Sequence, residues 1–120
     1  MNEYQENLKQ KMDNYVHYIY RLTKKFPRDE LFGSISQIKR AALSIIINYI
    51  EGYARIRSSI RLNFLETSYG SLQESKYLLY FSLFENYINI DEYEIGIKLA
   101  EEIAKMLWTE INNLNKSFNK

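Results

Sequence analysis

Residues 34–61 read SISQIKRAALSIIINYIEGYARIRSSIR, and this stretch decides the fold of the chain. It combines the most apolar helical pattern in the sequence with a dense group of arginines, and Gly52 lies between the two. The apolar residues cover roughly 220° of the helix circumference, against the ~100° or slightly more of an ordinary surface helix. Because a bundle of 120 residues has no fully surrounded centre, the pattern favours contact with another subunit.

The wide apolar arc divides into two stripes, each with residues at steps of three and four. The first stripe is expected to face the core of the domain and consists of Ile35, Ile38, Ala42, Ile45 and Tyr49. The second stripe is the predicted oligomer interface and consists of Leu43, Ile46, Ile47 and Ile50. Small residues in the following helix, among them Ser68, Gly70 and Ser71, favour close approach of two helix backbones.

Three further periodic segments predict partner helices for this stretch. They cover residues 2–25, residues from about 58 to 84, and residues from 91 towards the end of the chain. Pro27 ends the first helix, since proline offers no amide hydrogen. Ser34 with Gln37, Ser58 or Ser59, and Asp91 with Glu94 are the predicted starts of the other three. Short connections imply antiparallel neighbours, so the sequence predicts an all-α, up-down-up-down four-helix bundle as a single domain over residues 1–120.

Composition argues against most catalytic chemistry. The chain has no cysteine, and its one histidine, His17, is more typical of a packed or surface residue than of a catalyst or ligand. We therefore expect no catalytic residue, no metal, no cofactor and no enzymatic activity. The N-terminus lacks the pattern of a secretory signal, and no apolar run reaches the roughly 18 residues of a membrane span. These features predict a cytoplasmic protein with no membrane role.

The net charge of +1 conceals an uneven distribution. Residues 1–65 hold 11 basic and 6 acidic side chains, whereas residues 66–120 hold 5 and 9. The predicted nucleic-acid-binding residues are Lys39, Arg40, Arg55, Arg57 and Arg61, which would grip phosphates without reading sequence. Tyr49, Tyr53 and Tyr69 are candidate stacking faces for unpaired bases. The alternative is that the arginines pair with the acidic half of the chain, within or between subunits.

Ordered motifs across nearly the whole chain carry a family resemblance. They include FPRDELFG at 26–33, SQIKRAA at 36–42, EGYAR at 51–55 and GSLQE at 70–74. The sequence resembles the four-helix-bundle proteins encoded in intervening sequences of bacterial large-subunit ribosomal RNA genes. It is similar also to the accessory variability determinant of diversity-generating retroelements. One departure is Ile46, where the family usually has proline, and it predicts a straighter second helix.

The resemblance implies a homopentamer with a positively charged surface. For the retroelement member it implies binding to nucleic acid and to a partner reverse transcriptase, and Lys39, Arg40 and Arg55 match the family's basic positions. The leading hypothesis is a non-enzymatic homo-oligomer that binds RNA or DNA through its basic surface. The alternative is a protein-interaction module, in which the same helix assembles the oligomer and a tyrosine-rich surface docks a protein partner.

Overall fold

The computed structural model describes residues 1–118, which form four α-helices and no strand. The helices are α1 (Glu3–Thr23), α2 (Ser36–Tyr53), α3 (Ser58–Phe84) and α4 (Ile90–Lys116). A 3-10 turn at Arg28–Glu30 and a π-helical turn at Leu31–Ile35 connect α1 to α2. The predicted all-α class is confirmed, and α2 runs without interruption through Ile46.

The four helices form a ring in which each packs against two neighbours. α1 contacts α2 and α4, and α3 contacts α2 and α4, in a rod of 49 × 25 × 22 Å. Short connections make successive helices antiparallel, which confirms the up-down-up-down bundle. The start of α1, the α2–α3 connection and the last turns of α4 lie at one end, called here the Arg61 end. The α1–α2 and α3–α4 connections lie at the other, called the Phe32 end.

The core confirms the first apolar stripe of α2. Ile38, Ala42, Ile45 and Tyr49 are almost completely buried, and Ile35 is buried at the start of the stripe. Opposite them lie the buried residues Leu8, Met12, Tyr15 and Ile19 of α1, Leu65, Leu72 and Leu79 of α3, and Ala100, Ile103 and Leu107 of α4. Burial of a large apolar side chain contributes about 1.5–3 kcal/mol, so this continuous core is the main source of stability.

Small residues bring α2 and α3 into close contact. The Ser68 hydroxyl donates to the carbonyl oxygen of Ile45 at 2.7 Å, and the hydroxyls of Ser44 and Ser71 are 2.8 Å apart. Gly52 is buried at the same interface, where a Cβ atom would lie 3.2 Å from Cβ of Phe64. The predicted role of the small residues is therefore confirmed for Ser68 and Ser71, whereas it was wrong for Gly70, which is exposed and has no atom within 4 Å of a built Cβ.

Three of the predicted helix starts were wrong in detail. Ser34 does not cap α2: its amide donates to the Glu30 carboxylate, and its buried hydroxyl has no hydrogen-bond partner among the described residues. α3 follows Arg57 without a side-chain cap, so Ser58 and Ser59 lie inside the helix. Asn89, with Glu92, forms the capping box of α4 two residues before Asp91. In each case the residue that occupies the start lies one to four positions earlier and is compatible with the same periodicity.

Candidate nucleic-acid and assembly surfaces

The second apolar stripe of α2 lies on the outside of the bundle. Leu43, Ile47 and Ile50 are 38%, 47% and 46% exposed, whereas Ile46 is half-buried and packs against the core. We call Leu43, Ile46, Ile47 and Ile50 the α2 strip. Three partly exposed aliphatic side chains on successive turns therefore give this face of α2 an apolar surface that is open to solvent.

Arg61 closes the connection between α2 and α3. Its Nε donates to the carbonyl oxygen of Gly52 at 3.2 Å, and one terminal nitrogen donates to the carbonyl of Arg55 at 2.8 Å. The guanidinium also lies over the ring of Tyr53, 4.8 Å from its centroid. These contacts join the start of α3 to the backbone of the end of α2 and of the connection, so Arg61 has a structural role at the position where the sequence predicted a phosphate contact.

The other two arginines of this connection differ from each other. Arg55 forms an ion pair with Glu51 at 3.1 Å and lies over the Phe64 ring at 5.0 Å. Arg57 is exposed and has no ion-pair partner among residues 1–118. The alternative paired these arginines with the acidic half of the chain, residues 66–120. Within residues 1–118 none of the three forms such an ion pair, since the partner of Arg55 is Glu51, one turn earlier on α2.

Lys39 and Arg40 lie near the opposite end of α2. The Lys39 ammonium is 4.5 Å above the ring centroid of Tyr20, and Arg40 is exposed. At a rise of 1.5 Å per residue, Arg40 and Arg55 are about 22 Å apart along the helix. The five basic residues therefore do not meet in one patch. They form two groups, one at each end of the α2 strip.

Two of the three tyrosines that were predicted to stack on bases make contacts within the bundle. The hydroxyls of Tyr49 and Tyr53 both donate to the carboxylate of Glu110, and Tyr49 is completely buried. Burial, together with this carboxylate, raises the pKa of both phenols above the ordinary value of 10.0. Tyr69 is half-buried against Trp108, with ring centroids 5.5 Å apart. Tyr49 was therefore wrongly interpreted as a base-stacking face, because its ring belongs to the core.

The Arg61 end also contains an open cleft of about 440 Å³. Its polar lining includes Tyr4, Tyr53, Arg61, Glu110 and Asn113. Most of these groups already have partners in the bundle: the Tyr4 hydroxyl, for example, donates to the carbonyl of Met106 at 2.9 Å. The cleft therefore lies between the start of α1 and the last turns of α4, and contacts such as that of Tyr4 with Met106 join these two segments.

Sequence reasoning missed the two most exposed apolar residues of the chain. Phe32 is 93% exposed in the turn before α2, and Ile56 is 97% exposed in the connection after it. Both lie outside the periodic segments, so stripe analysis assigned them no role. A large apolar residue in a short connection, where polar residues are usual, was the signal that could have identified them.

The structure offers little metal chemistry in its described part. Residues 1–118 contain no group of three side chains able to hold a metal ion. His17 is exposed on α1, with its Nε2 3.3 Å from a carboxylate oxygen of Asp13 one turn earlier. Among the described helices, none combines the length and apolarity that crossing a membrane requires.

These features define a class: an antiparallel four-helix bundle with an exposed aliphatic strip on one helix and basic groups at both ends of that strip. A family model described as 23S rRNA-intervening sequence protein matches residues 5–109. The chain therefore belongs to the 23S rRNA-intervening sequence protein family. This confirms the first resemblance, whereas the similarity to the retroelement accessory determinant has no counterpart in these comparisons and stays a prediction.

A crystal structure supports the fold independently. It is described as a protein with unknown function from the S23 ribosomal protein family of Bacteroides thetaiotaomicron. The two chains are 24% identical with a TM-score of 0.78, over 87% of this chain and 97% of the other. At this level of identity the likeness establishes the four-helix architecture. A comparison with curated proteins gives no match.

Proposed function

We propose that this protein is a non-enzymatic homo-oligomer that binds nucleic acid through basic side chains beside its subunit contacts. The single observation that carries the proposal is the α2 strip, an exposed aliphatic surface with cationic groups at both ends. Assembly through the strip would place the basic groups of several copies near each other. A phosphate chain could then be held at several points by one oligomer.

The assembly part of the proposal follows from the cost of exposing the strip. Leu43, Ile47 and Ile50 each leave more than a third of their surface open to water in a single chain. Apolar area returned to a dry interface contributes roughly 25 cal/mol per Å², so a second copy that covers the strip gains free energy. The family resemblance gives five as the expected subunit number.

The nucleic-acid part follows from the cations without partners. Arg40 and Arg57 are exposed, and neither forms an ion pair within the described chain. A guanidinium free of carboxylates can donate two hydrogen bonds to one phosphate. Contacts of this kind bind many sequences equally, which fits a protein that recognises the backbone of RNA or DNA.

Binding of a fluorescent RNA hairpin, followed by anisotropy across salt concentrations, tests this function. The oligomer mass is measured in the same buffer and compared with five times the chain mass of 14.4 kDa. We expect affinity to fall along a straight log–log salt dependence. Charge reversal at Lys39, Arg40, Arg55 and Arg57 should abolish binding and leave the oligomer mass unchanged. An intact oligomer that binds no RNA at low salt would contradict the nucleic-acid role.

A second candidate function, a protein-interaction module, is favoured by a different surface. Tyr77, Tyr80 and Phe84 are 62%, 51% and 72% exposed along the last turns of α3. Their rings follow each other at 6.5 and 6.3 Å. Exposed aromatic rows of this kind suit a protein partner, and a reverse transcriptase is the partner that the family resemblance suggests. Loss of partner capture in Tyr80→Ala, with RNA binding retained, would identify this surface.

A further inference from the structure

We propose that the Phe32 end of α2 is a binding site for single-stranded nucleic acid, with a base stacked on Phe32 and phosphates held by Lys24, Arg28, Lys39 and Arg40. This inference rests on the function proposed above and deepens it. It names the strand type, adds Phe32, Lys24 and Arg28 to the contact residues, and assigns the contact to one end of the bundle.

Two adjoining clefts form the site. Their volumes are about 210 and 380 Å³, and both are lined by Tyr20, Leu31, Ile35 and Lys39. The smaller cleft adds Lys24 and Arg28 to its lining, and the larger adds Phe32 and Arg40. No carboxylate lines either cleft. The clefts therefore combine four cations with an apolar floor, and the larger has a volume in the range of ordinary ligand sites.

The four basic side chains that line the clefts have no acidic partner among the described residues. Within residues 1–118, Lys24, Arg28, Lys39 and Arg40 form no ion pair, whereas the neighbouring Lys25 pairs with Glu92 at 2.5 Å. Residues 20–43 hold six basic and two acidic side chains, so the surroundings are positive as well. Lys39 is in addition held over the ring of Tyr20. An anionic chain would meet charges that no ion pair among the described residues neutralises.

Phe32 is exposed on a turn that is held in place. Oε2 of Glu30 accepts the amide hydrogen of Ser34 at 3.2 Å, and Oε1 accepts the hydroxyl of Tyr87 at 2.7 Å. These bonds anchor the turn on both sides of Phe32, while the ring itself stays 93% exposed. A ring presented in this way loses little conformational freedom when a planar ligand stacks on it.

The combination of ring and cations favours a single strand. Unpaired bases expose both faces for stacking on aromatic side chains, whereas bases within a duplex are already stacked on each other. Phosphates spaced along the strand would meet the cations of the two clefts. An acidic peptide could use the same cations, but it would gain little from Phe32.

The Arg61 end provides the contrast. Arg61 donates to two backbone carbonyls, and Arg55 pairs with Glu51. The most exposed apolar residue at that end, Ile56, is aliphatic and offers no face for a base, whereas the aromatic residues Tyr4 and Phe118 are only 40% and 47% exposed. Phe32 and Ile56 are therefore a matched pair for alanine substitution, since Phe32 lies at the proposed site and Ile56 lies near the other end of α2.

The stacking contact is tested with a short fluorescent oligouridylate, an RNA duplex of equal length, and the variants Phe32→Ala and Ile56→Ala. We expect Phe32→Ala to weaken binding of the single strand by about 5- to 150-fold, the range for loss of one base–aromatic stack. The salt dependence should keep its slope, since no charge is removed. Ile56→Ala should bind like the unchanged protein. Equal losses in the two variants, or tighter binding of the duplex, would overturn the proposal.

The cations are tested by the salt dependence of the same oligouridylate. Arg28→Gln with Arg40→Gln should reduce the log–log slope by about 1.4, since each phosphate contact on a single strand contributes about 0.7. Lys98→Gln with Lys105→Gln, which removes two exposed charges of α4, should leave the slope unchanged. A slope that falls with Arg55→Gln and Arg57→Gln but not with Arg28→Gln and Arg40→Gln would keep the nucleic-acid function but move it to the Arg61 end.

Two further outcomes separate this inference from the function on which it rests. An unchanged protein that binds no RNA at low salt overturns both. If a polyglutamate peptide competes as well as the oligouridylate, and if Phe32→Ala leaves the binding of the peptide unchanged, the clefts bind an acidic protein partner.

Discussion

The hydroxyl of Tyr87 donates a 2.7 Å hydrogen bond to Glu30, and this contact joins the α3–α4 connection to the turn before α2. The other oxygen of Glu30 accepts the amide hydrogen of Ser34. These bonds, from Tyr87 first and then Ser34, lower the pKa of the Glu30 carboxyl below its ordinary value of 4.5. The carboxylate in turn raises the pKa of Tyr87 to about 12. Two connections at the Phe32 end are therefore stabilised by one ionised side chain.

Acid should weaken the Phe32 end through Glu30. Because the folded-state pKa lies below the unfolded value, this carboxylate contributes stability that is present above pH 4.5 and is lost as the pH falls through the folded pKa. We expect Glu30→Gln to be less stable than the unchanged protein at neutral pH. On acidification its unfolding free energy should fall by less than that of the unchanged protein. Urea unfolding at a series of pH values measures both.

The control for this prediction is Glu74→Gln, which changes an exposed carboxylate of α3. It should keep the acid dependence of the unchanged protein. If Glu74→Gln and Glu30→Gln reduce the pH dependence of the unfolding free energy equally, that dependence does not arise from Glu30.

Removal of the α2 strip should dissociate the proposed oligomer and leave the bundle folded. Ile47 and Ile50 are nearly half exposed, and burial of the rest of each side chain is worth about 1 kcal/mol. A carboxylate placed there would add a desolvation cost in the interface. Ile47→Asp with Ile50→Asp is therefore expected to sediment as a monomer with unchanged helix content.

Ile95→Asp is the matched control, since Ile95 is 52% exposed on α4. It should sediment like the unchanged protein. An oligomer that survives the double change in the strip but dissociates with Ile95→Asp would place the interface on α4.

The two glycines on the facing helices α2 and α3 should respond in opposite ways to alanine. A Cβ at Gly70 would meet nothing within 4 Å, so Gly70→Ala is expected to stabilise the protein by about 0.5–1 kcal/mol through helix propensity. A Cβ at Gly52 would lie 3.2 Å from Phe64 and 3.4 Å from the carbonyl of Arg61. Overpacking of about 1–3 kcal/mol should offset the propensity gain there.

Urea midpoints of the two alanine variants measure this difference directly. Gly70→Ala should exceed the unchanged protein, and Gly52→Ala should fall to it or below. Equal gains at both positions would mean that α2 and α3 have room to separate.

The buried pair of Tyr15 and Ser75 should show strong coupling. The Ser75 hydroxyl donates to the carbonyl of Leu72 at 2.8 Å, so the Tyr15 hydroxyl is the donor in the 2.9 Å contact between the two side chains. Ser75→Ala would leave that hydroxyl buried without an acceptor, at a cost of about 1–3 kcal/mol. Adding Tyr15→Phe should recover part of the loss, so the double variant is expected to be more stable than Ser75→Ala alone. Independent, additive losses would contradict the pairing.

Much of the fold follows from periodicity alone. Ile38, Ala42, Ile45 and Tyr49 recur at helical spacing, and the structure buries all four because only one face of α2 can meet α1 and α3. Helix starts were less predictable, since Ser34 competes with the earlier Glu30, and Asp91 with Asn89. Either residue can accept a hydrogen bond from the first backbone amides of the helix, and the path of the preceding turn determines which of them does.

The sequence by itself determined the class of fold, the core stripe of α2 and the surplus of basic residues in the first half of the chain. It could not determine which cations are free. That depends on contacts between residues distant in the chain or on the path of a turn: Arg61 donates to carbonyls of the α2–α3 connection, and Lys25 pairs with Glu92 of α4. Only the tertiary structure places Phe32 in the open beside four cations without ion-pair partners among the described residues, because Tyr87 of the α3–α4 connection holds its turn through Glu30.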